Sequence, residues 1–390
     1  MYIKRDAEVL LKKFADQYPA VTITGPRQSG KTTICRHTFP DKKYVSLEDL
    51  DYRDYAEDDP RAFLSEFSNG VIIDEIQRVP SLLSYIQGIV DRKQKKGEFI
   101  LTGSSQFELS SKISQSLAGR TAILKLLPFS FLEVYSETDK SRSWMNKILY
   151  TGFYPRIFND KLDPTDSLSA YIETYVERDV RMFSEIRELK IFRTFLRLCA
   201  ARTGQLLNYS NLSNACGVSV PTIKNWISIL EQSYLIFLLQ PYHSNLKKRL
   251  VKTPKMYFYD VGLCAYLNGA KKSEHLNSLP NRGSLFENFI IAEMLKMNYH
   301  HGLKKEFNFY RDKSGVEIDT IIDNGIDLLP IEIKSASTFN KTFTKNLNYF
   351  SQFHASEHLG TIVYTGLSQV RSNYNIFNFK DFFNSFVNYY

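Results

Sequence analysis

The feature that most constrains this chain is one short loop, Gly25-Pro26-Arg27-Gln28-Ser29-Gly30-Lys31-Thr32, followed by Thr33. It fits G-x-x-x-x-G-K-[ST] and stands between an apolar run, Ala20–Thr24, that reads as a strand and a helical stretch from about Gly30 to His37. Glycines at both ends let the backbone curl, so that its N–H groups and the helix N-terminus face phosphate oxygens. In such a loop Lys31 neutralises the β and γ phosphates and the Thr32 hydroxyl ligates Mg²⁺. The spacing therefore predicts an ATP site cradled by Gly25–Thr33, with Mg²⁺ as cofactor. It also predicts an α/β domain with a parallel sheet for the first third of the chain.

Further apolar runs fit that domain: Lys43–Leu47, Gly70–Asp74, Glu98–Gly103 and Thr121–Leu127 as strands, with a helix over Ser81–Lys96. In Val71-Ile72-Ile73-Asp74-Glu75 an apolar strand ends in acids, which puts Asp74 at the carboxyl edge of the sheet, where nucleotides bind in open α/β folds. There Asp74 would hold the Mg²⁺ shell and Glu75 would activate the attacking water. Leu101-Thr102-Gly103-Ser104-Ser105 ends another strand, so Ser104 or Ser105 would orient the water, the alternative being a plain turn. Arg120, in Leu117-Ala118-Gly119-Arg120, is a candidate arginine finger acting in trans; its alternative is a surface salt bridge.

These stretches resemble the AAA family, specifically the ATPases of bacteria and archaea that carry a C-terminal domain of uncertain role. The resemblance rests on TGPRQSGKTT, VIIDEIQRVP, LTGSSQ and LAGR, and it extends to KTPKMYFYDVGL and PIEIKS. It implies a P-loop ATPase core and, as is common in the family, a homo-oligomer. The helical region offers no clear second sensor arginine of the usual AAA kind.

Composition bounds the rest. A chain of 390 residues with 43% hydrophobic and 24% charged residues fits two to four globular domains and excludes wholesale disorder. The net charge of +8 leans toward an anionic partner without naming one. Cys35, Cys199, Cys216 and Cys264 lie far apart without a C-x-x-C pair, which argues against a disulfide scaffold or zinc ribbon and for a reducing compartment. The first residues carry charges throughout, and the longest apolar runs, such as Tyr234–Leu239, fall far short of the ~20 residues a membrane span needs. A cytoplasmic protein without a membrane partner is expected.

Downstream, Glu133 to about Gly204 reads as helical. Ser210–Ser233 then has helix-turn-helix spacing, with a turn at Gly217, Ser219 as N-cap and Pro221 in the first turn of the second helix. That helix would bury Ile223, Trp226, Ile227 and Leu230 and leave Thr222, Lys224 and Asn225 outward. Leu235–Tyr242 and Leu250–Tyr259 follow as a hairpin, a wing bearing Lys247, Lys248, Arg249, Lys252 and Lys255. Such a cluster suits phosphate contacts to DNA; the alternative is a packing module with a solvated basic edge.

The last third holds a second constellation. Ser314–Ile322 and Leu329–Lys334 alternate, so Glu317 and Asp319 share one face of a strand, as do Glu332 and Lys334 of another. A turn near Asp323–Gly325 would pair the strands and bring Asp319 beside Glu332, two carboxylates able to hold Mg²⁺. Glu287, in a helix over Ser284–Asn298, is a further ligand or support. This set (Glu287, Asp319, Glu332, Lys334) resembles the restriction-endonuclease-like (PD-D/E-x-K) superfamily, Holliday-junction resolvases above all. The resemblance implies a nuclease-like fold, with cleavage either retained or lost.

The expected architecture is thus α/β throughout: a P-loop AAA-type domain over 1–135, a helical connector over 136–205, a winged helix-turn-helix module over 206–267, a linker at Asn268–Gly283 and a nuclease-like α/β domain over 283–390. His300-His301 reads as a solvated helix end, and the aromatic C-terminal stretch as a helix packed on the sheet. Three functions compete: an ATPase driving a DNA-cleaving half, an ATP-gated DNA-binding switch without cleavage, and a C-terminal half that binds protein.

Overall fold

The computed structural model describes residues 2–93, 95–103, 116–135, 142–176, 189–242, 253–323, 325, 327–352, 360–371 and 373–389. Five parallel strands form the first sheet: β1 (Ala20–Thr24), β2 (Lys43–Ser46), β3 (Val71–Asp74), β4 (Phe99–Gly103) and β5 (Thr121–Lys125), in the order β2-β3-β4-β1-β5. β1, β3 and β4 are buried along their whole length, as strands covered by helices on both faces must be. Val71, Ile73 and Leu101 pack to one side, and Val21, Ile23, Ile72 and Ile100 to the other.

The second sheet has eight strands: β6 (Ile236–Pro241), β7 (Lys255–Phe258), β8 (Glu306–Arg311), β9 (Glu317–Asp323), β10 (Leu328–Lys334), β11 (Thr361–Tyr364), β12 (Gln369–Arg371) and β13 (Tyr374–Asn378). Its order is β12-β13-β11-β10-β9-β8-β6-β7. The expected wing is therefore no separate module. β6 and β7 pair antiparallel, and β6 also runs parallel to β8 through Gln240↔Asn308 and Pro241↔Phe309. The boundary expected between 206–267 and 283–390 is crossed by backbone hydrogen bonds, because the outer edge of β6 would otherwise leave its N–H and C=O groups unpaired.

The stretch 268–283 departs from a linker in the same way. Ala270 and Leu276 are fully buried, and the 3₁₀ turn Ser273–Asn277 docks on the helix Arg142–Thr151 through Asn146 Nδ2 to Asn277 Oδ1 at 2.8 Å. Glycine makes another such junction: a Cβ on Gly262 would lie 2.6 Å from the Gly152 backbone. Asp260 reinforces it by accepting from Phe153 N at 2.7 Å and Leu263 N at 2.8 Å.

One element organises the second half. The helix Arg282–His301, called the central helix below, is buried on every side, from Leu285 to His300. A single buried apolar cluster runs from Leu127 to Phe386 around it, and the C-terminal helix Phe379–Tyr389 packs onto it through Phe382, Phe383 and Phe386. His300 corrects a sequence expectation. It is fully buried, and its Nε2 accepts from Leu127 N at 3.2 Å, while burial, Arg5, Lys296 and His301 hold its pKa well below the usual imidazole value. His301 alone stays half-buried, with Nε2 3.7 Å from Asp6 Oδ2.

The helix pair follows its spacing: Tyr209–Cys216 ends on Gly217 in the left-handed conformation, and Val220–Gln232 starts on Ser219, whose hydroxyl accepts from Thr222 N at 3.2 Å. Ile223, Trp226, Ile227 and Leu230 are buried, and Lys224 and Asn225 are exposed. No helix among the described residues is long and apolar enough to cross a membrane.

Glu231 on the second of these helices is pushed up to about 7 by burial, against 4.5 when free. Between those values the folded chain keeps a proton that the unfolded chain releases, so this group makes stability fall as pH rises from about 4.5 to 7. Glu231→Gln should flatten that slope. Thermal melts at pH 5 and pH 8 should show the variant gaining on the parent only at pH 8.

Candidate functional site

The loop after β1 turns on Gly25, at φ 151°, where a Cβ would sit 2.0 Å from Leu126 O. Lys31 opens the following helix, Lys31–Thr38, and its ammonium donates to Gly25 O at 3.1 Å and Pro26 O at 2.8 Å. Burial lowers its pKa against the pull of Glu75 and Asp74. Both carboxylates therefore act on this ammonium.

Asp74 ends β3 and is oriented by three hydroxyls. Thr32 Oγ1 donates to Oδ2 at 2.9 Å, Tyr44 OH to the same oxygen at 2.8 Å, and Thr102 Oγ1 to Oδ1. Burial, then Asp74, pushes the Tyr44 phenol up to about 12, so it stays a donor. Sequence reasoning missed Tyr44 and Thr102; the signal was their place on strands flanking β3, with Ser46 opposite Asp74 in the β2–β3 register. Glu75 stands at φ 56° and accepts from Gln77 Nε2. A non-glycine residue there costs roughly 1–3 kcal/mol and clusters at functional sites. Thr32 and Asp74 offer hard oxygen donors that fit Mg²⁺.

The second constellation also assembles. The β9–β10 ladder runs to Ile331↔Thr320, and beyond it the Asp319 carboxylate takes over, Oδ2 accepting from Ile333 N at 2.7 Å. Lys334 Nζ lies 3.3 Å from that oxygen and also pairs with Glu332 Oε2. Asn346 Nδ2 donates to Glu332 Oε1 at 3.2 Å. From the central helix, Glu287 Oε1 accepts from Tyr257 OH at 2.6 Å and from Lys255 Nζ at 3.2 Å, while Lys255 also meets Glu317 Oε1 at 2.5 Å. Burial first, then the nearby Asp319 charge, holds the carboxyls of Glu287 and Glu332 above the ordinary carboxylate range. Burial opposes the Lys255 charge, but Glu287, Asp319 and Glu317 outweigh it and raise the ammonium's pKa.

Lys255 thereby corrects the basic-wing expectation: it is 2% exposed and neutralises acids inside the fold. Its signal was the unbroken run Met256-Tyr257-Phe258 that follows it in β7, a strand buried along its whole length. Lys247, Lys248, Arg249 and Lys252 lie outside the described residues, as do Ser104 and Ser105. Arg120 does not join its own chain's nucleotide site. Its carbonyl accepts from Ala20 N at the start of β1, the sheet edge opposite the loop, and its guanidinium binds Asp91 at 2.5 and 3.0 Å. Among the described residues no group of three or more His, Cys, Asp or Glu side chains is arranged to hold a metal ion.

Residues 17–135 match the AAA domain model. That stretch, with its P-loop, is similar to AAA domains. Downstream of the AAA domain, residues 142–274 and 282–382 match two domains of unknown function, DUF8612 and DUF4143. An uncharacterized protein of Mycobacterium tuberculosis is 28% identical over 338 residues, covering 86% of this chain and 74% of its own. One of Haemophilus influenzae is 25% identical over 307 residues, covering 76% and 72%. Among solved structures, the Walker-type ATPase of Pyrococcus abyssi aligns at 14% identity with a TM-score of 0.43, over 68% of this chain and 96% of that one.

Arg5 ties the loop after β1 to the segment that follows β5. Its guanidinium donates to Ser29 O and Leu127 O, each at 2.8 Å, lies 3.0 Å from Glu133 Oε1 and stacks 4.8 Å from the Phe129 ring centre. Arg5→Ala leaves Glu133, 1% exposed, buried without its cation, at a cost of about 3–5 kcal/mol. The variant should melt well below the parent and bind a fluorescent ATP analogue more weakly. Adding Glu133→Gln should restore the melting temperature in part but leave the nucleotide defect.

Proposed function

We propose that the AAA domain binds and hydrolyses Mg·ATP, and that this cycle acts on a C-terminal half that engages nucleic acid and cuts it at the Asp319–Glu332–Lys334 cluster. The observation that carries the proposal is the placement of one helix. The central helix presents Glu287 to the acidic cluster and, toward its other end, grips the segment that Arg5 ties to the nucleotide loop.

At the nucleotide site Lys31 would exchange its carbonyl partners for the β and γ phosphates. Asp74, held by Tyr44 and Thr102, would keep its oxygens toward the Mg²⁺ shell together with Thr32. Glu75 would take the proton of the attacking water. Mg²⁺ supplies charge neutralisation on the phosphates.

At the second cluster, Asp319 and Glu332 offer two hard-oxygen ligands. That number suits Mg²⁺, which commonly completes its shell with water and substrate phosphate. A bound metal would polarise the scissile phosphate. Lys334 would stabilise the charge developing there, and Glu287, locked by Tyr257 and Lys255, would support the field around Asp319. Lys255 also favours a second reading, a nucleic-acid-binding switch without cleavage, because its ammonium already satisfies Glu287 and Glu317.

Lys31→Ala should abolish tight nucleotide binding, whereas Glu75→Gln should retain binding and stop phosphate release. Normal turnover by both variants would sink the ATPase assignment. For the second site, plasmid, linear and four-way-junction DNA would be incubated with Mg²⁺ or Mn²⁺, with and without ATP. Cleavage by the parent that disappears in Asp319→Ala is the expected result, and an intact substrate under every condition would leave the switch.

A further inference from the structure

Beside the acidic cluster lies a groove of about 860 Å³ that neither motif accounts for. Its outer wall is the helix pair, with Asn208, Tyr209 and Asn211 from the first helix and Lys224 from the second; its inner wall includes Lys255, Arg311 and Glu317. Gly204 lines it too, and a Cβ there would come 3.5 Å from Glu287 Oε1, so the groove backs directly onto the carboxylates. The exposed face of the second helix, which spacing alone would present to solvent, thus shares one depression with the acidic cluster.

The lining has a definite chemistry. Tyr209 is half-buried with the Lys224 ammonium 5.6 Å from its ring centre, which joins a π-face to a cation on one wall. Asn208, Asn211 and Gln205 are exposed amides carrying both donors and acceptors. Arg311 is exposed, with Nη1 3.2 Å from Glu317 Oε2. An aromatic face with cations and amides along a trough is what a nucleic-acid strand with unpaired bases meets: a ring to stack on, charges for its phosphates and amides for base edges. Duplex bases hide both faces in their own stack and gain nothing from Tyr209.

We propose that this groove binds an unpaired segment of a nucleic-acid strand, with a base against Tyr209 and the backbone along Lys224 and Arg311, and so leads that strand to the Asp319–Glu332 carboxylates. The inference rests on the reading of the C-terminal half as nucleic-acid-engaging, and it adds the class of substrate: single strands, flaps or locally opened duplex.

The test is fluorescence anisotropy of the full-length protein with labelled oligo(dT), the matching oligo(U) and a duplex of equal length. EDTA is present throughout, so that binding is read without cleavage. The single strands should bind at least tenfold more tightly than the duplex, and the two of them separate DNA from RNA. Tyr209→Ala should weaken single-strand binding roughly tenfold or more. Tyr209→Phe, which keeps the ring, should not. Lys224→Glu should weaken it and flatten its salt dependence. Retained single-strand binding in both Tyr209→Ala and Lys224→Glu would overturn the groove while leaving nucleic-acid engagement standing. Equal affinity for the duplex would overturn the choice of unpaired strands. No binding of any probe by the parent at low salt would overturn the inference together with the nucleic-acid part of the proposed function.

Discussion

The structure depends on a buried ion pair. Glu293 and Lys296 on the central helix are 0% and 1% exposed and meet at 2.6 Å. Each also holds backbone of the segment after β5: Glu293 Oε2 accepts from Phe131 N at 2.6 Å and Lys296 Nζ donates to Phe129 O at 2.9 Å. The Lys296 ammonium further sits 3.9 Å from the Phe153 ring centre. A pair desolvated this deeply is tolerated only when its remaining hydrogen-bonding capacity is filled, and here the main chain fills it. Apolar packing alone could let the two halves slide; directional bonds to carbonyl and amide set one register between them.

From that anchor a chain of contacts leads to each site. The same short segment offers Leu127 O to Arg5, whose guanidinium reaches Ser29 O in the nucleotide loop. Thr24, the last residue before the loop, meets Tyr234 OH at 2.9 Å, and His300 takes Leu127 N. Toward its N-terminus the central helix delivers Glu287 to the acidic cluster, while Asn288 bonds Phe258 N and O across to β7 at 2.8 Å each. A shift of the nucleotide loop would meet polar contacts tuned to one geometry along this path, the route by which the proposed coupling would run.

The acidic cluster shows how the fold tolerates carboxylates that burial largely dehydrates. Glu287, Glu317, Asp319 and Glu332 come together with two ammonium groups, Lys255 from β7 and Lys334 from β10. Two strands far apart in sequence thus share one electrostatic task, and Lys255 adds a charge contact to the ladder that holds β7. Because β6 joins β8, the helix pair above β6 is carried against the same cluster, and the groove between them follows from sheet continuity.

Much of this was legible in the chain. The strand–loop–helix around Lys31, the strand ending in Asp74, the helix pair capped by Ser219 and the alternation that sets Asp319 beside Glu332 are local patterns, written in spacings of two and three to four residues. Periodicity reads them because neighbours in sequence are neighbours on the element. Their partners were not legible: Arg5 at the nucleotide loop, Tyr44 and Thr102 on Asp74, Lys255 between Glu287 and Glu317, and His300 under Leu127 all arrive from distant elements. A lysine on a strand reads as solvated until another strand covers it, and a histidine at a helix end reads as exposed until the other half of the chain docks there. The sequence by itself determined which elements form and which chemistry each one bears. Only the tertiary structure decided which charges meet, because burial and pairing are properties of the packed chain and not of any segment of it.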